Sequence, residues 1–261
     1  MKFCIIGYPL KHSLSPAFYN RYFDVAGIKA TYEAVEIYPE EFERKIHQIL
    51  EEYDGFNVTI PYKERVIGFV KPEEDAEAIQ AVNCVFEGMG YNTDWKGFVD
   101  SLEGVELGEP VLVVGAGGAS RAILYGLYRM GKTRVILLNR TFERALKLAK
   151  YFERFGLSFE VRSLNELRKV LPKAISFINT TSVGLKGERF SIFPEDLSHL
   201  KVVYDVVYGG TPLQRMAEKA GVRNVIDGRL MLYFQAVENL KIWGLFRSEE
   251  LFMKVFEEVA S

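Results

Sequence analysis

The chain has 261 residues, 48% of them apolar and 26% charged, with a formal net charge of −2; that length holds one large domain or two small ones around a sizeable core. Lys and Arg number 33 against 35 Asp and Glu, which argues against nucleic acid as partner, since such domains carry a basic excess. No apolar run approaches the ~20 residues that cross a bilayer, so neither nucleic acid nor membrane is expected and small-molecule chemistry is the better prior.

The chain opens on MKFCIIGYPLKHS. Its apolar stretch is short for a signal peptide and meets Lys11 at once, so a cytoplasmic location is expected. Phe3–Ile6 predicts a strand. Pro16–Ala26 predicts a helix, with Ser15 as N-cap and Pro16 in the first turn. Thr31–Val35 predicts a strand, and Pro39–Tyr53 a charged amphipathic helix with Phe42, Ile46, Ile49 and Leu50 as its apolar stripe. Gly55–Ile60 predicts a strand, and Tyr62–Gly68 the start of a helix. Val82–Phe86 and Tyr91 flank a turn at Gly88–Gly90. The two cysteines, Cys4 and Cys84, form no C-x-x-C pair and read as reduced thiols. His12, His47 and His199 are dispersed and suggest no metal site.

From residue 110 the pattern sharpens. Pro110–Val114 predicts a strand, Gly115–Ala119 a glycine-rich turn, and Arg121–Met130 a helix closed by Gly131. Arg134–Leu138 predicts a strand and Phe142–Phe155 a helix. Phe177–Ile178 and Val202–Val206 predict short buried strands. Leu230–Gly244 and Ser248–Val259 predict terminal helices. Such alternation is the signature of a parallel α/β sheet. The expected architecture is α/β in two domains: an N-terminal α/β domain (1–102 plus 230–261, the terminal helices returning to it) and a Rossmann-type doubly wound domain (103–229).

Gly115, Ala116, Gly117, Gly118 and Ala119 follow an apolar strand and open a helix. Absent side chains let backbone approach a pyrophosphate, and the helix start offers unpaired N–H groups and partial positive charge. An NAD-binding unit places Asp or Glu about 20 residues on. Here the next strand ends in Asn139, Arg140 and Thr141, with Arg144 one turn later. Arginines pair with a 2′-phosphate that a carboxylate would repel. This favours NADP over NAD. Arg144 alone is also readable as a solvated helix charge, the lesser of its two readings.

Four polar clusters end predicted elements of the first domain: 11–16, 57–63, Asn83 and 91–95. A crevice outside the carboxyl ends of strands is where such clusters converge. Lys63 and Asp94 are the best candidates for moving a proton, although an exposed lysine and a turn-capping aspartate remain open readings. Ser13 and Ser15 could donate to a carboxylate.

These pieces carry a resemblance. Ser13-Leu14-Ser15-Pro16, Asn57-Val58-Thr59-Ile60-Pro61-Tyr62-Lys63, Asn92-Thr93-Asp94, the Gly115–Ala119 turn and Asn139-Arg140-Thr141 occur in order. Asn179-Thr180-Thr181-Ser182-Val183-Gly184, Thr211-Pro212-Leu213, Met231-Leu232 and Gln235-Ala236 follow. In order and spacing the chain resembles the shikimate dehydrogenase family nearly end to end. The resemblance implies reversible NADPH-dependent reduction of 3-dehydroshikimate to shikimate, toward aromatic amino acids. It implies that Lys63 is the general acid–base, with Asp94 as partner and Asn57 bracing the lysine loop. Ser13 and Ser15 would hold the substrate carboxylate. Thr59, Asn83, Tyr208 and Gln235 would bind its ring hydroxyls and carboxylate. Val206, Gly228 and Met231 would surround the nicotinamide, and Asp75 would touch the cofactor from the first domain.

The chain departs from the family pattern at Gln80-Ala81-Val82-Asn83-Cys84, at the two-residue Gly209-Gly210 link and at Leu230. A quinate or dual-specificity dehydrogenase of the same fold is the nearer alternative, and a non-catalytic dinucleotide-binding sensor the remoter one. A homodimer is compatible with the sequence.

Overall fold

In a computed structural model, which describes residues 1–11 and 13–260, the chain divides into two units. His12, from the first polar cluster, and Ser261 lie outside the described residues. One unit comprises Met1–Gly97 and Tyr233–Ser261, the other Phe98–Leu232.

The first unit contains β1 (Lys2–Gly7), α1 (Ser15–Val25), β2 (Thr31–Glu36), α2 (Phe42–Glu52), β3 (Gly55–Val58), β4 (Lys71–Pro72), α3 (Glu74–Ile79), β5 (Cys84–Phe86) and β6 (Met89–Tyr91). Its sheet runs β2-β1-β3-β5-β6-β4. Strands β1, β2 and β3 are parallel, while β5 runs antiparallel to β3 and β6 antiparallel to β5. The start of β5 and the end of β6 therefore lie beside the carboxyl end of β3. One face buries Ile6, Phe42, Ile46, Phe56, Val58 and Tyr62, with the Phe42 and Tyr62 rings stacked 4.4 Å apart. The helix start at Phe42 trims the predicted Pro39–Tyr53 span, but the stripe holds: Phe42, Ile46 and Ile49 are buried.

The other face is aromatic. Tyr19 of α1 stacks on Tyr32 at 4.5 Å, and Phe3 packs on Trp243 at 4.5 Å. The helix α4 (Asp94–Asp100) carries the other tryptophan, Trp95.

The second unit contains β7 (Val111–Val114), α5 (Gly118–Arg129), β8 (Arg134–Asn139), α6 (Phe142–Phe152), β9 (Ser158–Ser163), α7 (Leu167–Val170), β10 (Ser176–Asn179), β11 (Val202–Asp205), α8 (Pro212–Lys219) and β12 (Asn224–Asp227). The last long helices are α9 (Arg229–Ile242) and α10 (Glu249–Ala260). This sheet is parallel throughout, in the order β12-β11-β10-β7-β8-β9. Read from β9 it is the 3-2-1-4-5-6 order of a dinucleotide-binding fold, with its topological switch between β7 and β10. The central strands are wholly buried and feed one core of Leu112, Val114, Ile136, Leu138, Phe177 and Val203.

Several sequence expectations need correction. Ser15 is not an N-cap: Leu14 holds that position in helical conformation, and Ser15 is the buried first helical residue. Tyr62 and Lys63 precede the ordered turn, which is a 3₁₀ segment over Val66–Phe69 rather than an α-helix. Gly118 and Ala119 are already helical. The predicted Phe142–Phe155 helix tightens to 3₁₀ over its last three residues.

Candidate active site

In the first unit the loops after β1 and β3, the entry to β5 and the exit from β6 share one end of the sheet. Lys63 Nζ donates to Asp94 Oδ2 at 2.6 Å, with the two side chains 16% and 7% exposed. The exposed-lysine reading is thereby removed. Asn83 Nδ2 donates to Asp94 Oδ1 at 2.9 Å, so both carboxylate oxygens are engaged. Charge-assisted bonds of this kind are about twice as strong as neutral ones, and water screens an enclosed pair little.

Asn83 ties this pair to the other candidates. Its Nδ2 also donates to Thr93 Oγ1 at 2.9 Å and lies 3.5 Å from Gln235 Oε1. Asn57 Nδ2 donates to the Asn83 carbonyl at 3.1 Å, and Tyr32 Oη donates to Asn57 Oδ1 at 2.8 Å. Burial drives the Tyr32 phenol well above its ordinary pKa, against a smaller opposing pull from Ser15, so it remains a donor to Asn57. Ser13 Oγ accepts from the Ser15 N–H at 3.4 Å. Thr59 N–H donates to the Ile6 carbonyl at 2.9 Å. A Cβ on Gly7 would sit 2.4 Å from Thr59 Cγ2, so the β3 loop settles on β1 only because residue 7 is glycine. Asp75 is not among these groups. It lies in the first turn of α3, which packs on β4 and β6 at the sheet edge, and its N–H donates to Glu73 Oε2 at 3.1 Å.

In the second unit the β7–α5 turn sits at the switch point. Gly115 has φ +120°, and a Cβ there would lie 2.2 Å from Thr180 Oγ1. Thr180 Oγ1 donates to the Val114 carbonyl at 2.7 Å and meets Ser120 Oγ at 2.6 Å. Ser120 Oγ in turn accepts from the Gly117 N–H at 3.3 Å. A Cβ on Gly117 would face open space. The first N–H groups of α5 thus border a cradle with room for a phosphate. Arg144 Nη2 donates to the Ala116 carbonyl at 3.2 Å, so the Arg144 guanidinium braces the same turn. Asn139 Nδ2 donates to the Thr141 carbonyl at 2.9 Å. Arg140 and Thr141 are exposed at the end of β8.

Val206 and Gly228 meet through their backbones. A Cβ on Gly228 would lie 2.0 Å from the Val206 oxygen. Gly228→Ala is expected to cost about 1–3 kcal/mol through overpacking and to lower the melting temperature by several degrees; an unchanged melt would mean that the two backbones can separate. Met231 is buried. Asp205 fixes the neighbouring loops. Its Oδ1 accepts from Asn179 Nδ2 at 2.8 Å and the Val207 N–H at 3.1 Å, while Oδ2 accepts from Thr211 Oγ1 at 2.6 Å. Burial raises its pKa against the pull of these donors. Tyr208 belongs to this loop, and burial pushes its phenol up as well. The structure therefore places Tyr208 in the second unit, with Val206, and the other candidate substrate residues in the first.

The two halves match known proteins. The sequence pattern described as shikimate dehydrogenase substrate binding domain covers residues 5–85, and that described as shikimate / quinate 5-dehydrogenase covers 102–185. The chain is 55% identical over 259 residues to a shikimate dehydrogenase (NADP(+)) of Thermotoga maritima, across 99% of each chain. The chain belongs to the shikimate dehydrogenase family. A family member from Aquifex aeolicus is 43% identical over 250 residues, covering 92% of this chain and 90% of that protein. The crystal structure of the Thermotoga maritima shikimate dehydrogenase superposes with TM-score 0.93 at 54% identity, covering 100% of both chains. The Thermus thermophilus shikimate 5-dehydrogenase, solved in complex with NADP(H) and shikimate, superposes with TM-score 0.84 at 31% identity over 99% of both.

Several buried polar residues carried no strong signal in the sequence reading. Asn239 is fully buried between Gln235 and the equally buried Tyr19, and Ser120 lies under the glycine turn. The i,i+4 spacing of Gln235 and Asn239 on one helix was the available signal. It was obscured because polar helix positions usually face water.

Proposed function

We propose that the protein catalyses the reversible NADPH-dependent reduction of 3-dehydroshikimate to shikimate, a step toward aromatic amino acids. NADPH, when bound, supplies a hydride to the substrate carbonyl carbon. The fit of its diphosphate rests on the Gly115 turn, where any side chain would strike Thr180, and on the helix start that follows. Arg140, Thr141 and Arg144 carry the donors for the 2′-phosphate. Gly228, lying flat on Val206, leaves room near the nicotinamide, with Met231 beside it.

In the first unit, Ser13 and Ser15 hold the substrate carboxylate, and Thr59, Asn83 and Gln235 its ring oxygens. Tyr208 is a further substrate residue in this reading. Lys63 gives the proton on Nζ to the carbonyl oxygen as that oxygen gains negative charge. In the oxidative direction the amine takes the proton back from the hydroxyl. Asp94 keeps Nζ aimed, and Asn83 keeps Asp94 from rotating. Asn57 braces the strand end that carries the lysine loop. Asp75 is a further cofactor contact in this reading.

The enclosed 2.6 Å Lys63–Asp94 pair carries the proposal, since a protein that only bound dinucleotide would have no use for it. NADPH formation from shikimate and NADP, followed by absorbance, tests the reading. Steady turnover is expected, and none under any condition would end it. Quinate and NAD in parallel assays measure how narrow the specificity is. The reading places the enzyme in the cytoplasm; among the described residues no helix is long and apolar enough to cross a membrane.

A further inference from the structure

We propose that Asn239, a residue with no expected contact to substrate, is a positioning residue that fixes the Gln235 amide so that Gln235 meets the substrate only as a hydrogen-bond donor. The inference rests on the reading of Gln235 as a substrate ligand.

The polarity of the buried network can be followed from a group that has no choice. The Thr93 backbone N–H can only donate, and it donates to Asn83 Oδ1 at 2.7 Å. The other end of Asn83 is therefore its Nδ2, which agrees with the Asp94 carboxylate oxygen 2.9 Å away, an acceptor only. The same Nδ2 donates to Thr93 Oγ1 at 2.9 Å. Thr93 then has one proton to give. Asn239 Oδ1 at 2.8 Å is nearer than the alternative acceptor, Asn83 Oδ1, at 3.3 Å. That assignment turns Asn239 Nδ2 the other way, where it donates to Gln235 Oε1 at 3.0 Å and to Tyr19 Oη at 3.0 Å. Asn83 Nδ2 lies 3.5 Å from Gln235 Oε1, but its two hydrogens go to the nearer Asp94 Oδ1 and Thr93 Oγ1, so Asn239 is the donor that holds Gln235.

The Asn239 Nδ2 donor 3.0 Å from this atom of Gln235 requires that atom to be oxygen. Nε2 is then on the opposite edge of the amide. Reversing the amide would set N–H against N–H in a region where Asn239 is fully buried, and a buried donor without an acceptor is costly. Gln235 is thus selective for an acceptor oxygen on its partner, and Asn239 sets that selectivity without touching the partner.

The test uses the full chain and steady-state kinetics, with thermal melts for each variant. Gln235→Glu keeps an acceptor toward Asn239 and replaces the donor edge with a second acceptor. It is expected to raise the KM for shikimate about tenfold, the worth of one good hydrogen bond, with the KM for NADP unchanged. Asn239→Asp removes the donor that holds Oε1 and lets the Gln235 amide reverse, so the same split is expected. Asn239→Ser removes that donor without burying a charge and carries the same expectation should the aspartate variant not fold. An unchanged KM for shikimate in Gln235→Glu would show that Gln235 accepts rather than donates and would overturn the proposal. Asn239 variants that raise both KM values together, or neither, would overturn the positioning role. Turnover by the unmodified chain separates these outcomes from a failure of the activity itself, which would take the inference with it.

Discussion

Lys63→Ala is expected to lower kcat for shikimate oxidation by about 10²–10⁴-fold, the usual worth of a positioned general acid–base. The substitution also leaves the Asp94 carboxylate enclosed with Asn83 as its remaining side-chain donor among the described residues. Removing one partner of a buried pair destabilises through the charge left behind, so the melting temperature must be measured beside the rate. Lys63→Arg separates the two effects. An arginine keeps the positive charge near Asp94, but its guanidinium holds its proton at any working pH. Its kcat is expected to stay low while its stability recovers. Near-normal turnover in either variant would remove Lys63 from proton transfer. A normal rate in Lys63→Arg alone would reduce its role to electrostatic stabilisation.

The second large effect concerns cofactor choice. Arg140→Ala is expected to raise the KM for NADP by about 10–100-fold, since a hydrogen bond to a charged group contributes about 1.5–3 kcal/mol. The KM for NAD should hardly move, because NAD has no 2′-phosphate for the arginine to meet. Arg144 differs in that it also braces the glycine turn through the Ala116 carbonyl. Arg144→Ala is therefore expected to weaken both cofactors, with the larger loss for NADP. Equal losses of both cofactors in Arg140→Ala would place that arginine on the shared diphosphate instead.

What could be read in advance followed the physical strength of each signal. The strand VLVV before a glycine turn is wholly buried, so a continuous apolar run marked it. The edge strands β9 and β12 are only partly buried, and their sequences SFEVRS and NVID carry no such run. β4 has two residues, too few for any period. α3 is short and starts where Glu73 accepts from the Asp75 N–H, a cap hidden among acidic residues. The Lys63–Asp94 pairing was legible as a candidate because both ends lie in distinctive motifs. Asn239 and Tyr19 were not, because their importance comes from contacts between α1, α9 and the β6 exit, far apart in the chain. α9 compounded this: Met231, Gln235, Ala236, Asn239 and Leu240 are all buried, so its polar positions do not mark a wet face. Asp205 was hidden for a similar reason, as a carboxylate whose partners Asn179, Thr211 and Gln214 come from other segments.

The aromatic layer of the first unit gives the enzyme an internal optical label. The chain has two tryptophans, Trp95 and Trp243, and both belong to that unit. Trp243 lies against Phe3, Tyr19 and Tyr32, while the second unit has no indole of its own. Tryptophan emission during denaturant titration, excited where tyrosine does not absorb, therefore reports on the first unit, whereas backbone circular dichroism sums over both. Any gap between the two curves would reveal how independently the halves come apart, without attaching a dye.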